Sequence, residues 1–385
     1  MANKEQKRRK RGQGEGSIYK RKDGLWAGAV NLGYQGGKLK RKVYYGKTRD
    51  EVKDKLIAAL RDQQQGIPIV TERQSLQQFL ERWLIDCVKP SVRPKTFASY
   101  SQLVRLHIAP ELGRLYLSKL TPQEIQKFMN ERLRKGLSPR TVQYLRAVLR
   151  KALNQALKWG LVTRNVATLV DSPRVERAEI KPLFPQEAQR FLQAIQGDRL
   201  EALFSTALAM GLRQGEALGL RWHDIDWDSR LIRVRYSLQR INGKLELSEL
   251  KTKSSRRDLP LIETVFAALR AHRNRQLQEK MLAGPHWQET GFVFTTTIGT
   301  PLDARNVVRK YHALLKKAEL SHNRFHDLRH SCASLLLAQG VPLKTVSDIL
   351  GHSQISITAD FYAHIAPEMR REALGVMDSI LTAKG

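Results

Sequence analysis

Cysteine is almost absent from this sequence. Its 385 residues include only Cys87 and Cys332, which excludes a disulfide framework and a cysteine-based zinc site. Long apolar runs are missing too. None approaches the roughly 18 residues that a membrane-spanning helix needs, so an integral helical membrane protein is excluded. The opening residues, MANKEQKRRKRG, are charged and lack the apolar stretch of a secretory signal. Acidic side chains are scarce, 37 against 67 Lys and Arg, which leaves a formal charge of +30. An excess of this size is the footprint of a polyanion partner, because each phosphate neutralised by a cation releases counterions. Anionic membrane is the competing surface, but no basic amphipathic helix with an aromatic face accompanies the charge. Composition therefore predicts a soluble, cytoplasmic nucleic-acid-binding protein with no membrane partner.

What is present is enough apolar residue, 41% of the chain, to build cores in two or three domains of roughly 100–200 residues each. After a basic tail over residues 1–13, residues 14–65 read as a small β-rich module. The turn pairs Asp23-Gly24 and Gly36-Gly37 separate three strand-like runs, which predicts three antiparallel strands. Thr48, with Glu51 three residues on, predicts the start of a helix running to about Gln63. Basic residues alternate here with Tyr19, Trp26, Tyr44 and Tyr45, a pattern suited to lying on DNA and also compatible with a small sheet that keeps a solvated charged side. Residues 71–170 turn helical. Leu76, Phe79, Leu80, Trp83 and Leu84 form one apolar stripe, and Tyr100, Leu103 and Leu106 another. Further helices are expected from Thr121 and from Ser138 through Trp159. Residues 171–182, with two prolines and no periodicity, read as a linker. Residues 183–367 then mix helices over 187–195 and 200–210 with a strand at 231–236 and hairpin strands around Gly243. Helices resume from Ile262.

Several polar residues in this last stretch are placed where a core alone does not explain them. In GLRQGE, Arg213 and Glu216 stand at i, i+3 and are expected to share a helix face. A structural salt bridge accounts for that pair taken alone. The cation-rich segment 249–260 looks like a hairpin turn carrying Lys251 and Lys253. In RFHDLRH, His326 and Arg329 again stand at i, i+3 and can address one anion. Leu350-Gly351-His352 follows, and Tyr362 comes ten residues after His352. Two arginines, a lysine, two histidines and a tyrosine form a set able to attack a phosphodiester without a metal. Guanidinium forks bind nonbridging oxygens, positive donors stabilise developing charge, and a phenol supplies the nucleophile.

HDLRH, LGH and YAH, preceded by GLRQGE, resemble the tyrosine recombinases, the phage integrase family. The stretch from GEGSIYK to YYGKT resembles the AP2-like, arm-type DNA-binding domain of many integrases, and the helical middle resembles their core-binding domain. The resemblance implies a multidomain, mainly α fold: a three-stranded sheet with one helix, an α-helical core-binding domain, and a mostly α catalytic domain with a small antiparallel sheet. It implies that Arg213, His326, Arg329 and His352 serve the phosphate, that Tyr362 is the nucleophile, and that Glu216 is the acidic support. Lys251 and Lys253 both fit the catalytic lysine, with Lys251 favoured. The implied reaction passes through a 3′-phosphotyrosine and a Holliday junction, with no cofactor or metal. The implied partners are double-stranded DNA at core and arm attachment sites and a homotetramer on that DNA. An excisionase and a host DNA-bending protein are accessory partners of the same kind, and localisation at the nucleoid would follow. Such an enzyme integrates or excises a mobile element. A type IB topoisomerase and a non-catalytic DNA-binding regulator are the alternatives. His330 and His364 are read as structural, and Cys332 as packing. Within the tail 368–385, Met369, Ala373, Val376, Met377 and Ile380 form an apolar helical stripe.

Overall fold

Gly24 of the Asp23-Gly24 turn takes φ +84° in the computed structural model, the left-handed conformation that a tight hairpin needs. The structure describes residues 17–35, 38–64, 74–176, 181–356 and 358–359. The basic tail 1–13, the Gly36-Gly37 turn, Tyr362, His364 and the tail 368–385 lie outside the described residues. The chain divides into two units, Met1–Glu176 and Arg177–Gly385.

In the first unit, β1 (Ser17–Lys20), β2 (Trp26–Gln35) and β3 (Lys38–Gly46) form an antiparallel sheet in that order. Helix α1 (Arg49–Gln64) follows. Its start is fixed as the sequence predicts: the Glu51 amide donates to Thr48 Oγ1 at 3.2 Å, and Lys47 N donates back to Glu51 Oε2 at 3.0 Å. Gly28 lets the helix approach, since a Cβ there would stand 2.7 Å from Val52 Cγ1. The aromatic face expected for this sheet is divided. Tyr19 and Tyr45 both pair with Ala27, flanking it on the face away from α1, and are about half exposed. Tyr44 pairs with Gly28 and packs against the cluster of Val30, Leu56 and Ala59 on the helix side.

The helical part holds α2 (Leu76–Trp83), α3 (Lys89–Ser91), α4 (Pro94–Leu103), α5 (Ala109–Leu112), α6 (Pro122–Arg134) and α7 (Pro139–Lys158). Capping boxes at Ser75 and Thr121 and a serine cap at Ser138 start α2, α6 and α7. Leu76, Phe79, Leu80 and Trp83 are buried as their spacing predicts. Leu106 is not. A π-turn over Val104–Ile108 adds a residue to the helical repeat, so Val104 and Ile108 enter the core and Leu106 stays 47% exposed.

The second unit begins with α8 (Pro185–Ile195), α9 (Glu201–Ala209) and the short α10 (Gln214–Leu218). Two small sheets follow. In one, β4 (Ile225–Asp226), β5 (Leu231–Val234) and β8 (Arg257–Pro260) pair in that order; the other is the hairpin β6 (Tyr236–Ile241) and β7 (Lys244–Glu249). Positive φ at Asn242 and Gly243 closes the hairpin. Two expectations change here. The single strand at 231–236 is broken at Arg235, where the chain passes from one sheet to the other. The segment 249–260 is consequently not a hairpin turn: β7 pairs with β6, whereas β8 pairs with β5. Residues 250–256 bridge two sheets.

The unit is completed by α11 (Glu263–Ala283), α12 (Ala304–Lys317), α13 (Asp327–Ala338) and α14 (Leu343–Leu350). Its core gathers Phe191, Phe204, Tyr311 and Phe325, with ring centroids 5.6–6.2 Å apart. Cys332 packs with Leu337, Val346 and Leu350 between α13 and α14. Burial raises its thiol to about 12, so it is inert. No helix among the described residues is long and apolar enough to cross a membrane.

Candidate active site

The GLRQGE stretch is shared between two helices. After α9 ends, Gly211 takes φ +59° and the chain turns. A Cβ at Gly211 would stand 2.4 Å from Leu350 Cδ2 and 3.2 Å from Cys332 Sγ, so only glycine fits. Arg213 then caps α10 in extended conformation, φ −67° and ψ 149°. The expected common helix face is therefore replaced by a cap geometry. Glu216, in the first turn, accepts the Arg213 backbone N–H at 3.1 Å and Arg213 Nη1 at 2.6 Å. The ion pair that the spacing predicts is kept, with a backbone bond in addition. Glu216 is 2% exposed, whereas Arg213 keeps about a third of its side chain open.

Arg329 lies in the first turn of α13 and is also 2% exposed. Its Nη1 donates to the Gly211 carbonyl at 2.7 Å and its Nη2 to the Leu350 carbonyl at 2.5 Å. Arg213 Nη2 reaches the next carbonyl, Gly351, at 3.5 Å. Gly351 ends α14 in the left-handed conformation, φ 66° and ψ 48°, and so delivers His352 to the arginines. The His352 ring is fixed by Nδ1, 2.7 Å from Oγ1 of the wholly buried Thr358. His326, immediately before α13, is exposed and stacks edge-on to His330 at 4.7 Å. His330 itself is buried, with Nε2 3.8 Å from Asp327 Oδ1.

Lys251 and Lys253 are both exposed, on the bridge between β7 and β8. The bridge touches the His352 turn: the Ser254 carbonyl lies 2.7 Å from where a Cβ on Gly351 would stand. Arg213, Glu216, Arg329 and His352 are thus brought together, His326 borders them, and the lysine loop abuts them. Tyr362 belongs to the residues that are not described.

One participant was not singled out from the sequence. Arg257, 8% exposed, donates from Nη2 to Glu216 Oε2 at 3.0 Å. Its signal was the period-2 alternation of β8, in which Arg257 and Leu259 are buried and Asp258 and Pro260 are exposed. A cation in the inward register of a strand needs a buried counter-charge.

The charges are unbalanced. Burial alone would raise the Glu216 carboxyl, but Arg257, Arg213 and Arg329 together hold it below the ordinary range. Burial and the adjacent Arg213 pull Arg329 down to about 9. His326 is lowered by desolvation of the part of its ring packed against His330, although the residue stays exposed overall, and then by Arg329 and Arg213. Burial with the same two arginines takes His352 down to about 3. Both imidazoles are therefore neutral near pH 7. Three guanidinium groups around one carboxylate leave net positive charge in a sheltered place, which is an anion site. Among the described residues no group of three His, Cys, Asp or Glu is placed to hold a metal ion.

Residues 181–369 match the phage integrase family, and residues 75–133 match the N-terminal SAM-like domain of phage integrases. A tyrosine recombinase XerC-like protein of Caldanaerobacter subterraneus is 34% identical over 365 residues, covering 90% of this chain and 93% of that protein. The chain belongs to the phage integrase family of tyrosine recombinases. Another member, the ICEBs1 integrase of Bacillus subtilis, is 28% identical across 75% of this chain and 79% of its own. Among solved structures, the Tn1549 transposon integrase in complex with transposon right-end DNA superposes with a TM-score of 0.64. It is 26% identical and covers 78% of this chain and 100% of that one. A lambda integrase tetramer bound to a Holliday junction shares the fold, with a TM-score of 0.57 at 19% identity over 91% of this chain and 96% of that one. The mainly helical architecture with small antiparallel sheets is that of these tyrosine integrases, and the activity is site-specific recombination.

Proposed function

We propose that this recombinase integrates and excises a mobile element by phosphotyrosine strand exchange, with Arg213, Lys251, His326, Arg329, His352 and Tyr362 as its catalytic residues. Arg213 and Arg329 hold the nonbridging oxygens of the scissile phosphate. A guanidinium has five N–H donors, so Arg329 can grip two carbonyls and still donate to an anion. Tyr362 Oη attacks phosphorus and yields its proton with the help of His326, whose neutral ring can accept one. The bond from phosphorus to the 5′-oxygen breaks, and the Lys251 ammonium protonates the leaving oxygen. His352, neutral and fixed by Thr358, donates a hydrogen bond to the phosphate. The 3′-phosphotyrosyl ester conserves the energy of the broken bond, so a 5′-hydroxyl from a partner duplex can reverse the attack without a cofactor.

One observation carries this reading: Arg213 and Arg329 close on the consecutive carbonyls of Gly351 and Leu350, beside His352, with a single carboxylate among three arginines. Tyrosine supply points the same way. Of the three tyrosines after residue 177, Tyr311 is fully buried and donates to Asn323 Oδ1 at 2.5 Å. Tyr236 lies 4.1 Å beneath the Arg221 guanidinium. Tyr362 is left. The proposed division is an arm-binding domain over 14–65, a core-binding domain over 71–170, a linker over 171–182 and a catalytic domain over 183–367. The proposed partners are duplex DNA at core and arm sites and three further copies of the chain, since two duplexes cut at two positions each require four nucleophiles. An excisionase and a host DNA-bending protein would set direction. A nicked suicide duplex tests the class. A recombinase accumulates adduct and then joins the strand to a second duplex. A type IB topoisomerase religates only the original partner, and a regulator forms no adduct.

A further inference from the structure

Arg257 stands where three parts of the site meet. Its Nη2 donates to Glu216, which holds Arg213 by both backbone and side chain. Its Nη1 donates to the Ser255 carbonyl at 3.1 Å, on the bridge that carries Lys251 and Lys253. Its Cδ and Nη1 lie 3.2 and 3.1 Å from where a Cβ on Gly351 would stand, under the turn that delivers His352. Only 6% of the side chain is exposed, so it has no surface to offer DNA. Its Nε is buried with no hydrogen-bond partner among the described residues. A guanidinium kept buried at the expense of an unsatisfied donor is a poor way to stabilise a core, where an apolar residue of similar volume would serve as well or better. Geometry explains its presence. A fork can join Glu216 and a loop carbonyl at fixed separation, which neither a lysine nor an apolar residue can do.

We propose that Arg257 is a positioning residue for strand cleavage, which through Glu216 fixes Arg213 and through Ser255 and Gly351 sets the lysine loop and the His352 turn around one phosphate. The proposal rests on the site reading given above. Three charged groups face Glu216: Arg213 ahead of α10, Arg257 on β8 and Arg329 on α13; His352 and Cys332 face the arginines in turn. Without Arg257, Glu216 loses a cation that keeps it ionised, so it protonates and releases Arg213 at a higher pH than in the wild type.

The test measures adduct formation at Tyr362 on a nicked duplex across pH, with duplex binding and thermal unfolding recorded in parallel. Arg257→Gln should cleave about 100-fold more slowly, the order expected for a misplaced reacting group. It should bind duplex with near wild-type affinity, and the acid limb of its rate profile should move to higher pH. Arg257→Lys keeps the charge, and with it the fold and the acid limb, but loses the fork and should remain about tenfold slow. The double variant Glu216→Gln/Arg257→Gln should be no slower than the slower single, because the two act through one path. Wild-type rates in Arg257→Lys, an unmoved acid limb in Arg257→Gln, or additive losses in the double variant would overturn the proposal. A wild-type protein that forms its adduct elsewhere than Tyr362 would contradict the site reading itself, which the variants alone do not touch.

Discussion

Glu216 and the three arginines around it show how little contact is needed to leave a sheltered excess of positive charge. The carboxylate neutralises one guanidinium and leaves the others in want of an anion. In so sheltered a place that imbalance is worth far more than the same charges at the surface. The histidines are set first by their own desolvation and then by the neighbouring arginines, which together favour the neutral, hydrogen-bonding form of His326 and His352. The lysine is a separate matter, because Lys251 and Lys253 are both exposed on one loop. Their roles are separable by chemistry. If Lys251 protonates the leaving 5′-oxygen, Lys251→Ala should slow cleavage by about 10²–10⁴-fold, the usual worth of a general acid. A substrate with sulfur at the 5′-bridging position should restore the rate, since a thiolate of pKa about 8.5 leaves without a proton. Lys253→Ala should cleave both substrates at near wild-type rates. Sulfur rescue of Lys253→Ala in place of Lys251→Ala would reassign the acid.

Elements place these residues, and sequence patterns disclosed the elements unevenly. Hairpin turns and helix caps act over three or four residues, so β1 to β3, α1, α6 and α7 were legible from Asp23-Gly24, Thr48, Thr121 and Ser138, and α2 from the stripe of Leu76, Phe79, Leu80 and Trp83. The π-turn at Val104–Ile108 was not, because a single added residue leaves no local mark and shows only as Leu106 rotated out to solvent. The switch between sheets at Arg235 escaped for a related reason: residues 231–236 read as one continuous strand, and only long-range pairing divides it. In the site, motif residues were legible because their spacing is local. Arg257 was not, since its partner Glu216 is 41 residues away. The helix junctions are the sensitive points. Gly211→Ala would force a Cβ against Leu350 and Cys332 at positive φ. It should cost about 1–3 kcal/mol of stability, as overpacking does, and should slow cleavage by displacing the carbonyl that holds Arg329. Thermal unfolding and cleavage rate measured together check this. A variant as stable and active as the wild type would refute the role given to that turn.

Across the whole molecule Lys and Arg leave a formal charge of +30, and under the proposed division each part is expected to add its own phosphates. A fragment beginning near Thr71 should still cleave core-site duplex. It should lose arm-site binding, and its affinity should depend less steeply on salt, because fewer counterions are released. Equal arm-site affinity in fragment and full chain would contradict the assignment of residues 14–65. Everything proposed for the reaction converges on one bond, between phosphorus and Tyr362 Oη. Phenylalanine keeps the ring and lacks only the hydroxyl, so Tyr362→Phe should fold and bind duplex as the wild type does. The decisive measurement traps the full-length protein on a nicked attachment-site duplex and maps the peptide that carries the DNA. The account predicts a 3′-phosphotyrosyl link at Tyr362 in the wild type and no adduct in Tyr362→Phe; a link at any other residue, or adduct formed by the Phe variant, would contradict it.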